Sequence, residues 1–109
     1  MITCFIRYEI DPFKVAAFEE YARNWGQAIP PCGADLIGYY APHEGSGTTA
    51  YGVYNIDSLA AYEAYRARLK DDRRGRENYE FAKREQFIRT EDRIFLRLVS
   101  APHAALVRP

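Results

Sequence analysis

Cysteine is scarce in this 109-residue chain, with only Cys4 and Cys32, and no CxxC pair or Cys/His cluster at metal-ligating spacing. A disulfide between the two has little to motivate it. Cys4 alternates with apolar neighbours and reads as a small core residue, while Cys32, in a Pro-Pro-Cys-Gly turn, reads as a free thiol. Histidine is as rare: His43 and His103 are the only two, too few for a metal site unaided. Excess charge is absent as well, since fifteen basic and fifteen acidic side chains cancel. That balance removes the general electrostatic reason to expect nucleic acid or an anionic membrane as a partner. No stretch approaches the ~18 consecutive apolar residues of a spanning helix. The opening MITCFIRYEI has no basic region ahead of a long apolar run, so neither a signal peptide nor an anchor is expected, and the expected location is the cytoplasm. A Ser/His/Asp arrangement is not suggested either, because Ser46, Ser58 and Ser100 fall at a turn, a helix cap and a tail. No cofactor is implied by any motif.

What the chain has in quantity is aromatic and apolar surface. Apolar residues make up 48% and aromatics 15%, including nine Tyr and six Phe. A chain of this length forms one domain and buries roughly two-thirds of its unfolded surface. The stretch Thr48 to Leu69 organises the rest: an alternating strand, an abrupt helix start at Asp57 or Ser58, and a helix carrying Leu59, Tyr62, Tyr65 and Leu69 on one side. Ahead of it, Ile2, Cys4, Ile6, Tyr8 and Ile10 alternate as one apolar face of a first strand. Asp11-Pro12 ends that strand and opens a helix with the stripe Val15, Phe18, Ala22, Trp25 and Ile29, stopped by Pro30-Pro31-Cys32-Gly33. A second strand runs from about Ala34 to Pro42, and the turn at His43 to Gly47 joins it to the third as a hairpin. Asp71 to Arg76 reads as a solvated charged break with Gly75 as a hinge. Helix resumes from Glu77 to Ile88, and Arg93 to Val99 is the fourth strand, with Ser100 to Pro109 a surface tail.

The order β-α-β-β-α-(α)-β predicts an α+β ferredoxin-like domain over 1–99, four antiparallel strands with both helical layers on one face. If the even-numbered positions face the helices, Phe5, Ile37, Tyr39, Tyr51, Val53 and Phe95 project from the other face. Such a patch exceeds what monomers normally expose, so a homodimer through that face, with Phe5, Tyr39, Tyr51 and Phe95 at its centre, is expected.

On the helix side, Tyr8, Tyr40 and Tyr54 meet Trp25, Tyr62 and Tyr65. Buried phenols need hydrogen-bond partners, so this set reads either as rings whose tips reach solvent or as the polar lining of a pocket for a small, flat, largely apolar organic ligand. His43 at a strand end and Tyr54 are the candidate catalytic groups; Tyr8, Trp25, Tyr40, Tyr62 and Tyr65 are the candidate ligand-binding ones. A histidine beside a Gly-rich turn is also an ordinary surface residue.

With these elements placed, the chain resembles the NIPSNAP family, within the wider group of dimeric α+β barrel proteins. The resemblance rests on Tyr8 with Pro12 and Lys14, on Gly33, Leu36 and Gly38-Tyr39-Tyr40, and on Tyr54 with Ser58-Leu59. It implies a homodimer whose sheets close into a barrel-like interior. Sister families include cofactor-free monooxygenases, dehydratases and haem-dependent enzymes, so the resemblance implies a pocket more than one chemistry. A monooxygenase- or isomerase-like role is one expectation and a non-catalytic binding or scaffold dimer is the other.

Overall fold

A computed structural model of the chain describes residues 1–101, so the tail from 102 to 109 lies outside the described residues. The elements are β1 (Ile2–Ile10), α1 (Val15–Cys32), β2 (Asp35–Tyr40), β3 (Thr49–Ile56), α2 (Leu59–Asp71), α3 (Arg73–Glu85) and β4 (Ile88–Leu96). The strands form one antiparallel sheet in the order β2-β3-β1-β4, the ferredoxin-like arrangement that is the protomer fold of dimeric α+β barrels. Among the described residues no helix is long and apolar enough to cross a membrane.

Period-two alternation settles β1 and β3. Cys4, Ile6, Tyr8 and Ile10 are fully buried, and opposite them Tyr54, Gly52 and Ala50 bury their side of β3. Those faces meet the helices, as the alternation predicts. On α1 the buried stripe is Phe18, Tyr21, Trp25, Ala28, Ile29 and Cys32. Both prolines lie inside its last turn, and Gly33, at φ 111°, closes the helix in the left-handed conformation that favours glycine. The helix begins at Val15, later than Asp11-Pro12 suggests. Asp11 instead accepts the Phe13 N–H (2.9 Å) and holds a turn that precedes the helix. Ser58 caps α2 by accepting the Ala61 N–H at 3.0 Å.

The charged run at 71–76 is a helix junction and not a loop. Asp72 ends α2 and caps α3, its carboxylate accepting from Arg74 N (2.8 Å) and Gly75 N (3.2 Å). Hydrogen bonding from Arg74 holds that carboxyl below its ordinary range. Gly75 is buried in the first turn of α3, where an added Cβ would collide with the Leu69 carbonyl oxygen. Close approach of two helices is its role here, not hinging. α3 ends at Glu85 because Gln86 turns left-handed at φ 57°, which frees β4 to start at Ile88.

α3 is fastened to α1 by a buried amide. Asn78 donates to the Tyr21 carbonyl (3.0 Å) and accepts from Asn24 (3.0 Å). Asn78→Leu keeps the branched heavy-atom shape and removes both bonds, so we expect a loss of about 2 kcal/mol, at roughly 1 kcal/mol net per bond. A urea midpoint unchanged from wild type would show that the amide fastens nothing.

Two strands depart from the odd-even reading. A β-bulge in β2 places Leu36 opposite Tyr54 but Gly38 opposite Val53, then Tyr39 opposite Gly52 and Tyr40 opposite Tyr51. One extra residue inverts the faces beyond it. Tyr39 therefore packs on the helix side, and Tyr40 lies on the outer face, 54% exposed. In β4 the register sets Phe95 opposite Cys4 and Ile94 opposite Phe5. Phe95 accordingly points to the helices, its ring 4.7 Å from that of Tyr62, and Ile94 and Leu96 take the outer face. The expected outer-face pair Tyr39 and Phe95 is thus replaced by Tyr40, Ile94 and Leu96, beside Phe5, Tyr51 and Val53. Arg7 opposes Asp92 and pairs with Glu9 at 3.0 Å.

Candidate functional site

Helix-facing side chains of α1, α2, α3 and the sheet do not fill their layer completely. They leave a chamber of about 40 Å³, lined by Tyr8, Tyr21, Tyr39, Tyr54, Tyr65 and Tyr79, with Trp25, Arg66, Glu91 and Arg93 completing its polar wall. At roughly 10–15 Å³ per water centre this is room for a few waters or one small polar group. Tyr79, Arg66, Glu91 and Arg93 are only partly covered, so the chamber communicates with the surface where α2 and α3 meet β4.

The walls are braced by ring-on-ring packing. Tyr8 meets Phe18 at 5.3 Å, Tyr21 meets Phe87 at 5.3 Å, and Tyr54 meets Tyr65 at 5.3 Å between ring centroids. The Tyr8 and Tyr39 hydroxyls are 3.2 Å apart, so one donates to the other and the second proton is left for a further acceptor. At the mouth, the Tyr62 hydroxyl accepts from Arg66 (3.0 Å) and from Arg93 (3.2 Å), and Arg93 also donates to Glu91 (3.0 Å). Two buried donors among the lining side chains have no acceptor among the described residues: Trp25 Nε1 and Arg93 Nε. The Tyr21 ring packs edge-on to the indole at 5.5 Å between centroids, and against the larger effect of burial the indole lowers the Tyr21 phenol.

Electrostatics make the chamber donor-rich. Burial raises the phenols of Tyr8, Tyr39, Tyr54 and Tyr65 well above their ordinary range, and pushes Tyr21 up to about 12. All five are neutral O–H groups at physiological pH. Arg93 is held more firmly charged: neighbouring Tyr62, Tyr54 and Glu91 outweigh the opposing effect of its burial. Cys4 lies beside Arg93 and Tyr54, yet burial raises its thiol, which leaves it inert. Two guanidiniums face one carboxylate, so the lining carries one net positive charge.

Of the sequence-predicted residues, Tyr8, Trp25, Tyr54 and Tyr65 come together in the chamber and Tyr62 stands at its mouth. Tyr40 is on the opposite face of the sheet, displaced by the bulge, and Tyr39 occupies the helix-side place expected for it. His43 is exposed on the β2–β3 loop and is not among the lining residues. Sequence reasoning missed Tyr21, Tyr39, Tyr79, Arg66, Glu91 and Arg93. Tyr21 had a readable signal, since it stands three residues from Phe18 and four from Trp25 on one helix face. Glu91 and Arg93 had none, because their inward orientation is set by pairing with Tyr8 and Ile6.

The family model of NIPSNAP matches residues 3–102. Among solved structures, a NIPSNAP family protein of unknown function from Agrobacterium tumefaciens is similar with a TM-score of 0.80 at 17% identity, covering 94% of this chain and 92% of that one. An uncharacterised NIPSNAP domain protein from Burkholderia xenovorans has a TM-score of 0.70 at 23% identity, covering 94% and 96%. A protein provisionally named an antibiotic biosynthesis monooxygenase, from Nitrosomonas europaea, has a TM-score of 0.70 at 13% identity, covering 92% and 100%. At these identities the structural likeness speaks for the fold alone. No curated protein matches the sequence.

Proposed function

The chain belongs to the NIPSNAP family, and from that premise we propose that it is a homodimer binding a small, flat, largely apolar or aromatic ligand between sheet and helices. The observation carrying this reading is the convergence of neutral tyrosine hydroxyls and two arginines on one chamber that opens to the surface. A filled scaffold has no need of so many inward donors. The chemistry such a wall favours is cofactor-independent turnover of an aromatic or enolic substrate, by isomerisation or by oxidation with dioxygen. Developing oxyanion charge would be met by Tyr54 and its neighbouring phenols, which donate and, being neutral at working pH, do not act as bases. Glu91 is the carboxylate within the lining that could take the proton. The Nitrosomonas protein's provisional name points the same way, as an analogy of fold.

A second reading has its own support: the chamber is only about 40 Å³, so a non-catalytic dimer whose tyrosines chiefly pack fits its small volume. Native mass spectrometry of protein taken directly from cells separates the two. A dimer retaining a stoichiometric small molecule is the expected result, and a dimer with nothing bound in any preparation favours the scaffold.

The dimer rests on the outer face. Tyr51, Ile94 and Leu96 are 38%, 54% and 49% exposed beside Phe5 and Val53, an apolar surface on the side of the sheet away from the helices. Among the polar groups there, Glu9 pairs with Arg7 and accepts from Thr48 (2.8 Å) and Thr49 (3.1 Å). Covering this face with its own copy is self-complementary. Ile94→Arg with Leu96→Arg should convert a sedimenting dimer to a monomer with unchanged helix content. Wild-type protein sedimenting as a monomer at micromolar concentration would remove the assembly.

A further inference from the structure

Resting on that ligand-binding reading, we propose that the ligand is a carboxylic acid bound as its anion, with the carboxylate in the chamber and the flat body in the groove beside it. Three observations lead there. The first is the pair of orphaned donors. Trp25 is 2% exposed and, among the described residues, its indole N–H has no acceptor and the buried Arg93 Nε–H has none either; both side chains line the chamber. Buried donors without partners are rare enough that two in one small space point to a missing acceptor. The second is charge. Arg66 has no acidic partner among the described residues, and the only carboxylate in the lining, Glu91, is already engaged by Arg93. One unit of positive charge is left for a ligand to balance, in a space where low polarisability strengthens the attraction.

The third observation is shape. Arg66 and Arg93 line both the chamber and an open surface groove of about 510 Å³, which also carries Tyr62, Lys70 and Glu63. The chamber alone holds a group the size of a carboxylate, while the groove offers the Tyr62 ring as an apolar floor, with Lys70 and Glu63 offsetting each other so that the positive excess stays with Arg66 and Arg93. A head-and-body ligand fits this pair of spaces; a neutral hydrocarbon would leave every donor unmet. The carboxylate would accept from the indole and guanidinium N–H groups, which are charge-assisted bonds in the second case.

Trp25 is the single tryptophan, so its indole N–H gives one resonance in a ¹H–¹⁵N spectrum and reports on the chamber without any label at a surface site. Acetate, benzoate and benzamide are titrated into the full-length protein. Benzoate is expected to shift the indole resonance saturably, benzamide to bind at least about tenfold more weakly, the equivalent of about 1.4 kcal/mol, and added salt to weaken benzoate further. Arg66→Met, at a partly exposed helix position, should lower benzoate affinity by a similar factor while leaving the rest of the spectrum in place. Equal binding of benzoate and benzamide would overturn the anion and leave the ligand-binding reading standing. Benzoate binding that leaves the indole unmoved and ignores Arg66→Met would place the ion elsewhere and overturn the proposal. A resonance unmoved by all three probes overturns it too, and together with empty native mass spectra removes the binding reading as well.

Discussion

Raised above pH 10, the protein should unfold cooperatively before pH 12, with phenolate absorbance at 295 nm and loss of helix appearing as one transition. The cause is the buried phenol layer. Tyr8, Tyr21, Tyr39, Tyr54 and Tyr65 all have raised values in the fold, Tyr21 at about 12, because burial disfavours their charged form. In the unfolded chain each ionises near pH 10. Below that pH both states keep their protons and the layer is fully stabilising. Above it the unfolded chain has released protons that the folded one still holds, so stability falls as pH rises. Each such group removes about 1.4 kcal/mol per pH unit, and five acting together remove roughly 7 kcal/mol per unit. Against the 5–15 kcal/mol of an ordinary domain, that exhausts the fold within one to two units. Tyr8→Phe keeps the ring and deletes one ionisable group, so its alkaline midpoint should move upward. Gradual ionisation with helix content intact through pH 12 would mean that the hydroxyls reach solvent. The same layer bears on chemistry: these phenols stay protonated up to about pH 9, so any turnover that relies on them as donors should be flat across neutral pH.

Much of this architecture is legible in the residues because it is local. Alternation in β1 and β3, the Ser58 cap, the three-four spacing of Phe18, Ala22, Trp25 and Ile29, and the Gly-rich hairpin turn each depend on a few neighbouring positions. The element order follows from them, and with it the ferredoxin-like sheet. What was not legible is relational. Which face Phe95 occupies is decided by its being opposite Cys4 and not by its own number, and an antiparallel pairing can match odd positions with even ones. The exchange of Tyr39 for Tyr40 came from a bulge between Leu36 and Gly38 that leaves no mark in the hydrophobic pattern, since both tyrosines are equally suited to either side. The charged stretch at 71–76 misled for another reason: Asp72 serves as cap to a helix whose first turn is basic, so the residues of a cap looked like those of a loop. In the chamber, Tyr8 and Tyr54 were found because they alternate along their strands and Tyr65 because it stands on the apolar side of its helix, while Tyr21, Tyr39 and Tyr79 were missed. Arg93 and Glu91 were missed because charged residues on an edge strand normally face water.

Gly52→Ala should lower stability by about 2–3 kcal/mol, far more than the exchange of a strand glycine for alanine would suggest, since that change is ordinarily favourable by roughly 0.5–1 kcal/mol. A Cβ on Gly52 would lie 2.6 Å from Cε1 and Cζ of the Tyr39 ring, which rests directly on the glycine across the β2–β3 pair. Ordinary contact between such carbons is about 3.5–4.0 Å, so the ring must leave. It has little room to do so, being edged by Tyr8 at 6.1 Å and by Phe18 and Tyr21 at 6.4 Å. Displacement outward breaks the Tyr8–Tyr39 hydroxyl pair and opens one wall of the chamber. For a domain of this size the melting temperature should fall by roughly 10–20 °C. A double-mutant cycle isolates the cause. In a Tyr39→Ala background the space above Gly52 is empty, so the same Gly52→Ala change should be neutral or slightly stabilising. Equal losses in both backgrounds would mean that the glycine is needed for its backbone and not for the ring, and the account of how Tyr39 enters the chamber would have to be abandoned.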